Sequence, residues 1–306
     1  MSERCTGVSE RCTADDARRG RTDARGERAA DPRERWGELD RAARDAAYDN
    51  NAAVPGSAAL VAARNAAARD YRAAHPEAAL DVPYGPRPRN RCDLFPAADP
   101  AAPCLVFLHG GWWQRNGRED FSHVVDGVRR HGWSAALPGH TLAPAVSLTE
   151  IVAEIRRALD WLTAEGPARG LAGPLVVAGW SAGAQLATLA LPHPGVRAGL
   201  AISGAYDLAP LRDTWIDAAL RLTEEEAARL SPLRRPPHDK PLTIACGARE
   251  LPTLVADAHR LAQLRAAAGA PGDLLVLPGH DHFTVLEELR SPGGALTRAA
   301  LRLAGR

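Results

Sequence analysis

Pro174-Leu175-Val176-Val177-Ala178-Gly179-Trp180-Ser181-Ala182-Gly183-Ala184-Gln185-Leu186-Ala187-Thr188-Leu189-Ala190 is the stretch whose reading decides the fold. Residues 174–178 are a short apolar run of the kind a buried strand needs, and residues 184–190 read as a helix. Between them stands Gly-Trp-Ser-Ala-Gly. A G-x-S-x-G at a strand-to-helix turn is the pattern of a nucleophile elbow. The turn is sharp, so the residues around it must be nearly free of side chain. Gly179, Ala182 and Gly183 meet that need. Ser181 is then held at the top of a sheet with its hydroxyl open to a base. The plain alternative is a tight turn without chemistry; the strand before and the helix after favour the nucleophile.

Outward from the elbow, strand and helix patterns alternate. Cys104–Leu108 is apolar throughout, which suits a strand covered on both faces. A helix is expected over Phe121–Arg130 and a strand over Trp133–Leu137. Ser147–Leu162 is the clearest helix, with Leu148, Ile151, Val152, Ile155, Leu159 and Leu162 on one face. Strands follow at Val196–Ile202, Leu242–Cys246 and Asp273–Leu277, the last two separated by a Thr253–Ala268 helix. Repeated β-α units imply an α/β fold with a doubly wound, mostly parallel sheet. Residues 207–238 read as an insertion of short helices where a cap would sit, with Pro232, Pro236 and Pro237 near its end.

Before the sheet, Trp36–His75 is Ala-rich and helix-prone, broken at Val54-Pro55-Gly56. Leu39, Ala42, Ala43 and Ala46 form one stripe, and Leu60, Ala63 and Ala67 another. These helices are expected over the mouth or flank of the main domain. Asp81–Gly85 and Arg91–Phe95 read as two early strands. Residues 1–35 carry hardly any large apolar side chain, so burial cannot offset their ordering entropy. A disordered tail is expected there, and one domain over 36–306.

Bulk properties exclude several classes of function. A net charge of +1 gives no general attraction to nucleic acid or a charged membrane. No apolar run approaches the ~18 residues of a membrane span. The early Arg and Asp residues leave no signal-peptide core. The 5 cysteines are scattered and odd in number, which reads as reduced thiols in a cytoplasmic protein. Cys104 and Cys246 lie at strand ends, where packing is the simplest role.

A serine that transfers acyl groups needs an oxyanion hole, a base, and an acid to orient the base. His109-Gly110-Gly111-Trp112 follows the Cys104–Leu108 strand, and its glycines let backbone approach a substrate. Gly110, Gly111 and Trp112 are the candidate N–H donors, with Ala182 supplying another from the elbow. His109 reads as a brace for that loop. The base lies in Gly279-His280-Asp281-His282-Phe283, where His282, directly before a helix, is favoured over His280. This H-x-H lacks the further ligands of a zinc site, and neither metal nor cofactor is expected. Glu250, after the Leu242–Cys246 strand, is the candidate acid; Asp207 is its competitor but suits a helix cap. The chain order Ser181, Glu250, His282 is the one α/β-hydrolases use. Trp113, Trp180, Tyr206, Trp215 and Phe283, with Trp112, fall in loops that should ring the serine. They suggest an aromatic, largely uncharged pocket for a flat aryl group.

Several stretches resemble kynurenine formamidase (arylformamidase) and its bacterial esterase relatives, in the same order. His109-Gly110-Gly111-Trp112-Trp113-Gln114 is similar to their HGG-x-W-Q segment. Asp81–Gly85, Thr141-Leu142-Ala143-Pro144, Ser181–Leu186, Ile202–Leu208 and Asp281-His282-Phe283 carry the rest, over about residues 36–289. The resemblance implies an α/β-hydrolase fold, triad roles for Ser181, Glu250 and His282, an oxyanion loop at Gly110–Trp112, and N-formylkynurenine-type substrates. Two departures stand out: Glu250 replaces the Asp of the animal formamidases, and Trp180 replaces their His before the nucleophile. The expected partner is a small aryl amide or ester, with no nucleic acid and no membrane; a homo-oligomer stays open. A general carboxylesterase for short-chain esters is the alternative reading. A non-catalytic binding protein on the same fold is the other, though such proteins usually lack a triad member.

Overall fold

The computed structural model describes residues 30–305. Eight strands form one sheet in the order β1-β2-β4-β3-β5-β6-β7-β8. They are β1 (Ala79–Pro83), β2 (Arg91–Phe95), β3 (Cys104–Leu108), β4 (Ser134–Pro138), β5 (Leu175–Trp180), β6 (Val196–Ile202), β7 (Leu242–Gly247) and β8 (Gly272–Leu277). β1 and β2 are antiparallel, as are β2 and β4; every pair from β4 to β8 is parallel. β5, the elbow strand, is buried along its whole length. Its pleat sends Leu175 and Val177 into one core and Val176 and Ala178 into the other. An apolar run without alternation is what a strand covered on both faces requires.

Register decides where the strands release their loops. Leu108 lies beside Gly179, and Trp180 beside Ile202. Residues 109, 181 and 203 therefore leave the sheet at one level. Gly247 pairs with Leu277, so the loops holding Glu250 and His282 open at the same edge. Side chains far apart in sequence thus converge at the carboxyl ends of parallel strands.

The longest crossover helix follows from its sequence. Ser147 caps Leu148–Glu165: its Oγ accepts from Glu150 N at 3.2 Å while Glu150 Oε2 accepts from Ser147 N at 3.0 Å. Leu148, Ile151, Ile155, Leu159 and Leu162 are buried. Burying each such side chain contributes roughly 1.5–3 kcal/mol. The single helix expected over Phe121–Arg130 is instead a 3-10 segment, Arg118–Val125, followed by Asp126–Arg129. Phe121 through Val125 are all buried, so the segment is packed on several sides rather than along one apolar stripe. Between β6 and β7 lie the short helices Ala209–Asp213, Asp217–Leu220, Glu224–Leu230 and Pro232–Arg234. The Ala-rich region forms Arg41–Ala46, Asn50–Ala53 and Ser57–Ala74.

Of the tail expected over 1–35, residues 1–29 lie outside the described residues. Residues 31–35 correct that expectation. Pro32–Glu38 is a 3-10 segment capped by Asp31, which accepts from Arg33 N at 3.0 Å. Arg33 Nη1 reaches Asp257 Oδ1 at 2.5 Å and Nη2 reaches Asp31 Oδ2 at 2.8 Å. Asp257 is wholly buried and also accepts from the backbone N–H of Tyr206 (2.6 Å) and Asp207 (3.1 Å). An arginine whose counter-ion lies across the fold is invisible to local composition. Replacing Arg33 by Met leaves a buried carboxylate without its cation and is expected to cost about 3–5 kcal/mol. The exposed Arg35–Glu38 pair should contribute under about 1 kcal/mol. Urea unfolding of R33M against R35M checks this; equal losses would overturn the clamp.

Candidate active site

Ser181 joins β5 to the Ala182–Ala190 helix with φ 57° and ψ −121°, a conformation that non-glycine residues rarely adopt. Its backbone is fixed from both sides: Ser181 N donates to Ile202 O at 2.8 Å, and Ser181 O accepts from Ala184 N at 2.9 Å. A Cβ on Gly179 would overlap the Gly183 carbonyl, and one on Gly183 would overlap the Leu108 carbonyl. The two glycines are therefore required by close backbone approach, as the motif anticipates.

His282 Nδ1 lies 2.8 Å from Glu250 Oε2. A carboxylate only accepts, so the imidazole carries its proton on Nδ1 and Nε2 is left as the acceptor. The other carboxylate oxygen, Oε1, accepts from Ser203 Oγ at 2.5 Å and from Gly247 N at 2.6 Å. Glu250 and His282 are both buried, at 1% and 3% exposure, so this pairing is sheltered from water. Ser203 directly follows β6 with φ 57°; the sequence places it in the Ile202–Leu208 stretch without pointing to a role for its side chain. Its position at a strand's carboxyl end was the available signal.

Trp180 braces the same loop. Its Nε1 donates to the His282 carbonyl at 2.8 Å, and its ring centroid lies 4.8 Å from the imidazole. His280 is elsewhere: its Nδ1 faces Thr284 O at 3.1 Å and its Nε2 faces Glu288 at 3.3 Å. Asp207 accepts from Ala209 N and pairs with Arg234; the cap position of the Ala209–Asp213 segment itself is Leu208.

The loop after β3 packs directly against the elbow. A Cβ on Gly110 would come within 2.6 Å of Trp180 O and 2.9 Å of Ser181 Cβ. Gly111, Trp112 and Trp113 all have positive φ. The loop's peptides are oriented by bonds to their carbonyls. Gly110 O accepts from Asn116 Nδ2 at 3.0 Å, which fixes the Gly111 N–H on the opposite side of that peptide. Gly111 O accepts from Gln114 N and Arg115 N, which fixes the Trp112 N–H. The bonds to Ser181 O do the same for Ala182. His109 is buried beneath the loop, stacked on His140 at 4.5 Å. Burial pushes its pKa well below the ordinary histidine range, helped by His140.

A cavity of about 440 Å³ opens over Ser181 and His282, with Gly111, Trp112, Trp180, Trp215 and Phe283 in its walls. Two expected substrate-binding residues lie elsewhere. Trp113 is 1% exposed and donates from Nε1 to Gln185 Oε1 at 3.2 Å, under the loop. Tyr206 is fully buried, its ring under Gly204. Each aromatic follows a strand end, but backbone direction turns these two inward. The expectation of a largely uncharged pocket is also corrected. Arg64 and Arg115 line the cavity, with Asp49, Asn50, Asn51 and Asn116. Most of these come from the helical region before the sheet, where alanine-rich sequence carries no site motif. Trp36–His75 thus lies over the mouth.

Among known proteins, the BD-FAE family model matches residues 93–194. The kynurenine formamidase of Danio rerio is 26% identical over 243 residues, covering 74% of this chain and 82% of that protein. That of Drosophila melanogaster is 24% identical over 229 residues, covering 68% and 72%. A crystal structure of a candidate thioesterase from Silicibacter sp. TM1040 superposes with a TM-score of 0.76 at 29% identity, covering 84% of this chain and 98% of that one. An esterase of Pyrobaculum calidifontis, at 20% identity and a TM-score of 0.62, covering 70% and 80%, shares the fold. No described helix is long and apolar enough to cross a membrane. By sheet, elbow and relatives together, the chain is an α/β-hydrolase of the formamidase- and esterase-like kind, an enzyme of serine-hydrolase type.

Proposed function

We propose that the chain cleaves a small acyl group from an aryl amide or ester, N-formylkynurenine being the type substrate, through Ser181, His282 and Glu250 and an acyl-enzyme. The observation that carries this reading is the buried Glu250–His282 contact beside Ser181 in one cavity. His282 Nε2 takes the Ser181 proton as Oγ attacks the carbonyl. Glu250 holds the imidazole and stabilises its charged form. The N–H groups of Gly111, Trp112 and Ala182 receive the developing oxyanion. Each such donor is worth about 3–4 kcal/mol of barrier. His282 then protonates the leaving group, and water repeats the cycle on the acyl-enzyme.

The kynurenine formamidase relatives support the acyl and aryl halves of this reading. Trp112 and Trp180 close in beside the serine, which favours a formyl or acetyl carbonyl over a long acyl chain. Phe283 and Trp215 offer faces for an aryl ring. The test compares kcat/KM for N-formylkynurenine with 4-nitrophenyl acetate and 4-nitrophenyl butyrate. The formyl and acetyl substrates are expected to lead. Much faster turnover of the butyrate would move the assignment to a general carboxylesterase.

A further inference from the structure

The cavity above Ser181 contains an electrostatic imbalance that the hydrolytic chemistry does not use. Arg64, on the Ser57–Ala74 helix, is half-buried and lines the cavity. Its guanidinium donates to Asn65 Oδ1 at 2.8 and 3.0 Å and to Asn116 Oδ1 at 3.3 Å, and it lies 4.3 Å from the Phe121 ring centroid. These partners are all neutral. Arg115, exposed at the mouth, stacks over Trp215 at 5.3 Å. Among the described residues neither arginine has a carboxylate in ion-pairing range. Asp49, the acidic side chain of the wall, is engaged as a helix cap, accepting from Asn51 N and Ala52 N at 3.1 and 3.0 Å.

A partly desolvated guanidinium with no carboxylate bonded to it is costly. Burial lowers the Arg64 pKa, and only Asp120 opposes that shift. The cost is recovered when an anion arrives, and guanidinium recognises carboxylate by paired N–H donors. Arg64 is also tied to the chemistry: Asn116, which it contacts, holds the Gly110 carbonyl of the loop after β3. We infer that Arg64, aided by Arg115 at the mouth, binds a carboxylate carried by the substrate's leaving portion, so that anionic aryl substrates are preferred to neutral ones of the same shape. The assignment to the leaving portion rests on the proposed small acyl group, because a formyl or acetyl carbonyl held at the loop after β3 is too short to reach the helical roof. Arg115 adds long-range attraction for the same charge.

Binding is measured where turnover cannot interfere. By calorimetry, S181A is expected to bind 3-(3-hydroxyphenyl)propanoate about tenfold more tightly than its carboxamide, the difference one charge-assisted pair supplies. In S181A/R64Q the ratio should fall to near one, and in S181A/R64K only the share due to the charge alone, without the paired donors, should remain. The ratio is internal to each variant, so a general loosening of the site does not mimic the effect. Equal affinities in S181A, no binding of the anion at millimolar concentration, or an unchanged ratio in R64Q overturns the inference. If R64Q does not fold, the S181A ratio and its decline with added salt still decide. Wild-type hydrolysis of the matching acetate esters is followed in parallel. Loss of turnover with the binding ratio intact would count against the hydrolytic reading alone.

Discussion

Replacing Ser181 by alanine is expected to lower kcat by about 10⁵–10⁶-fold, the scale seen when a serine nucleophile is removed from such a constellation. The magnitude follows from the role. Without Oγ no acyl-enzyme forms, and only the backbone N–H groups of the loop after β3 and the elbow remain to stabilise an oxyanion formed by water. Those donors keep their positions, because the bonds to Gly110 O, Gly111 O and Ser181 O do not involve the serine side chain. Residual turnover should therefore exceed the uncatalysed rate. The fold should be unaffected, since alanine faces the same φ of 57° as serine and gains no new strain. The check is steady-state kinetics with labelling by a fluorophosphonate probe: wild type labelled, S181A unlabelled at an unchanged melting temperature. Retention of more than a few per cent of activity would remove Ser181 from the mechanism.

The second large effect is at Glu250. Exchange for glutamine keeps the shape and removes one acceptor, and its consequence can be worked out from the bonds. Gly247 N–H can only donate, and it points at Oε1 from 2.6 Å. The glutamine carbonyl oxygen must therefore occupy that position, shared with Ser203 Oγ. The amide NH₂ is then left facing His282 Nδ1, which must become the acceptor. The imidazole proton moves to Nε2, the nitrogen that should receive the serine proton. Glu250→Gln is expected to lower kcat by about 10⁴-fold with KM little changed, as for a wrong tautomer in other triads. Glu250→Asp keeps both acceptor oxygens but shortens the reach, so a smaller loss is expected. Equal activities of E250Q and wild type would show that this carboxylate does not set the tautomer.

Trp180 illustrates why some residues resist assignment from a chain alone. Beside a nucleophile it reads as a pocket wall, and it does border the cavity. Its indole N–H is nevertheless bonded to the carbonyl of His282, 102 residues on. The tryptophan before the nucleophile thus supplies a bond that holds the histidine loop. Trp113 and Tyr206 show the converse. Both follow strand ends and both turn into the core.

What the chain determines by itself is what short-range physics determines. Uninterrupted apolar runs at 104–108 and 175–180 require strands covered on both faces, and the stripe from Leu148 to Leu162 requires one buried helix face. Glycine at 179 is demanded by a contact within the turn itself, whereas glycine at 183 is demanded by the Leu108 carbonyl of the neighbouring strand. Those features gave the α/β sheet and the position of Ser181, and the strand patterns at 242–246 and 273–277 put Glu250 and His282 in loops that follow them. The tertiary structure alone decided which groups face one another across large separations: Arg33 with Asp257, Ser203 with Glu250, and Arg64 over the cavity. Such pairs are set by sheet register and by the packing of the Ser57–Ala74 helix. The free energy of a buried charge depends on neighbours that no local pattern of residues records.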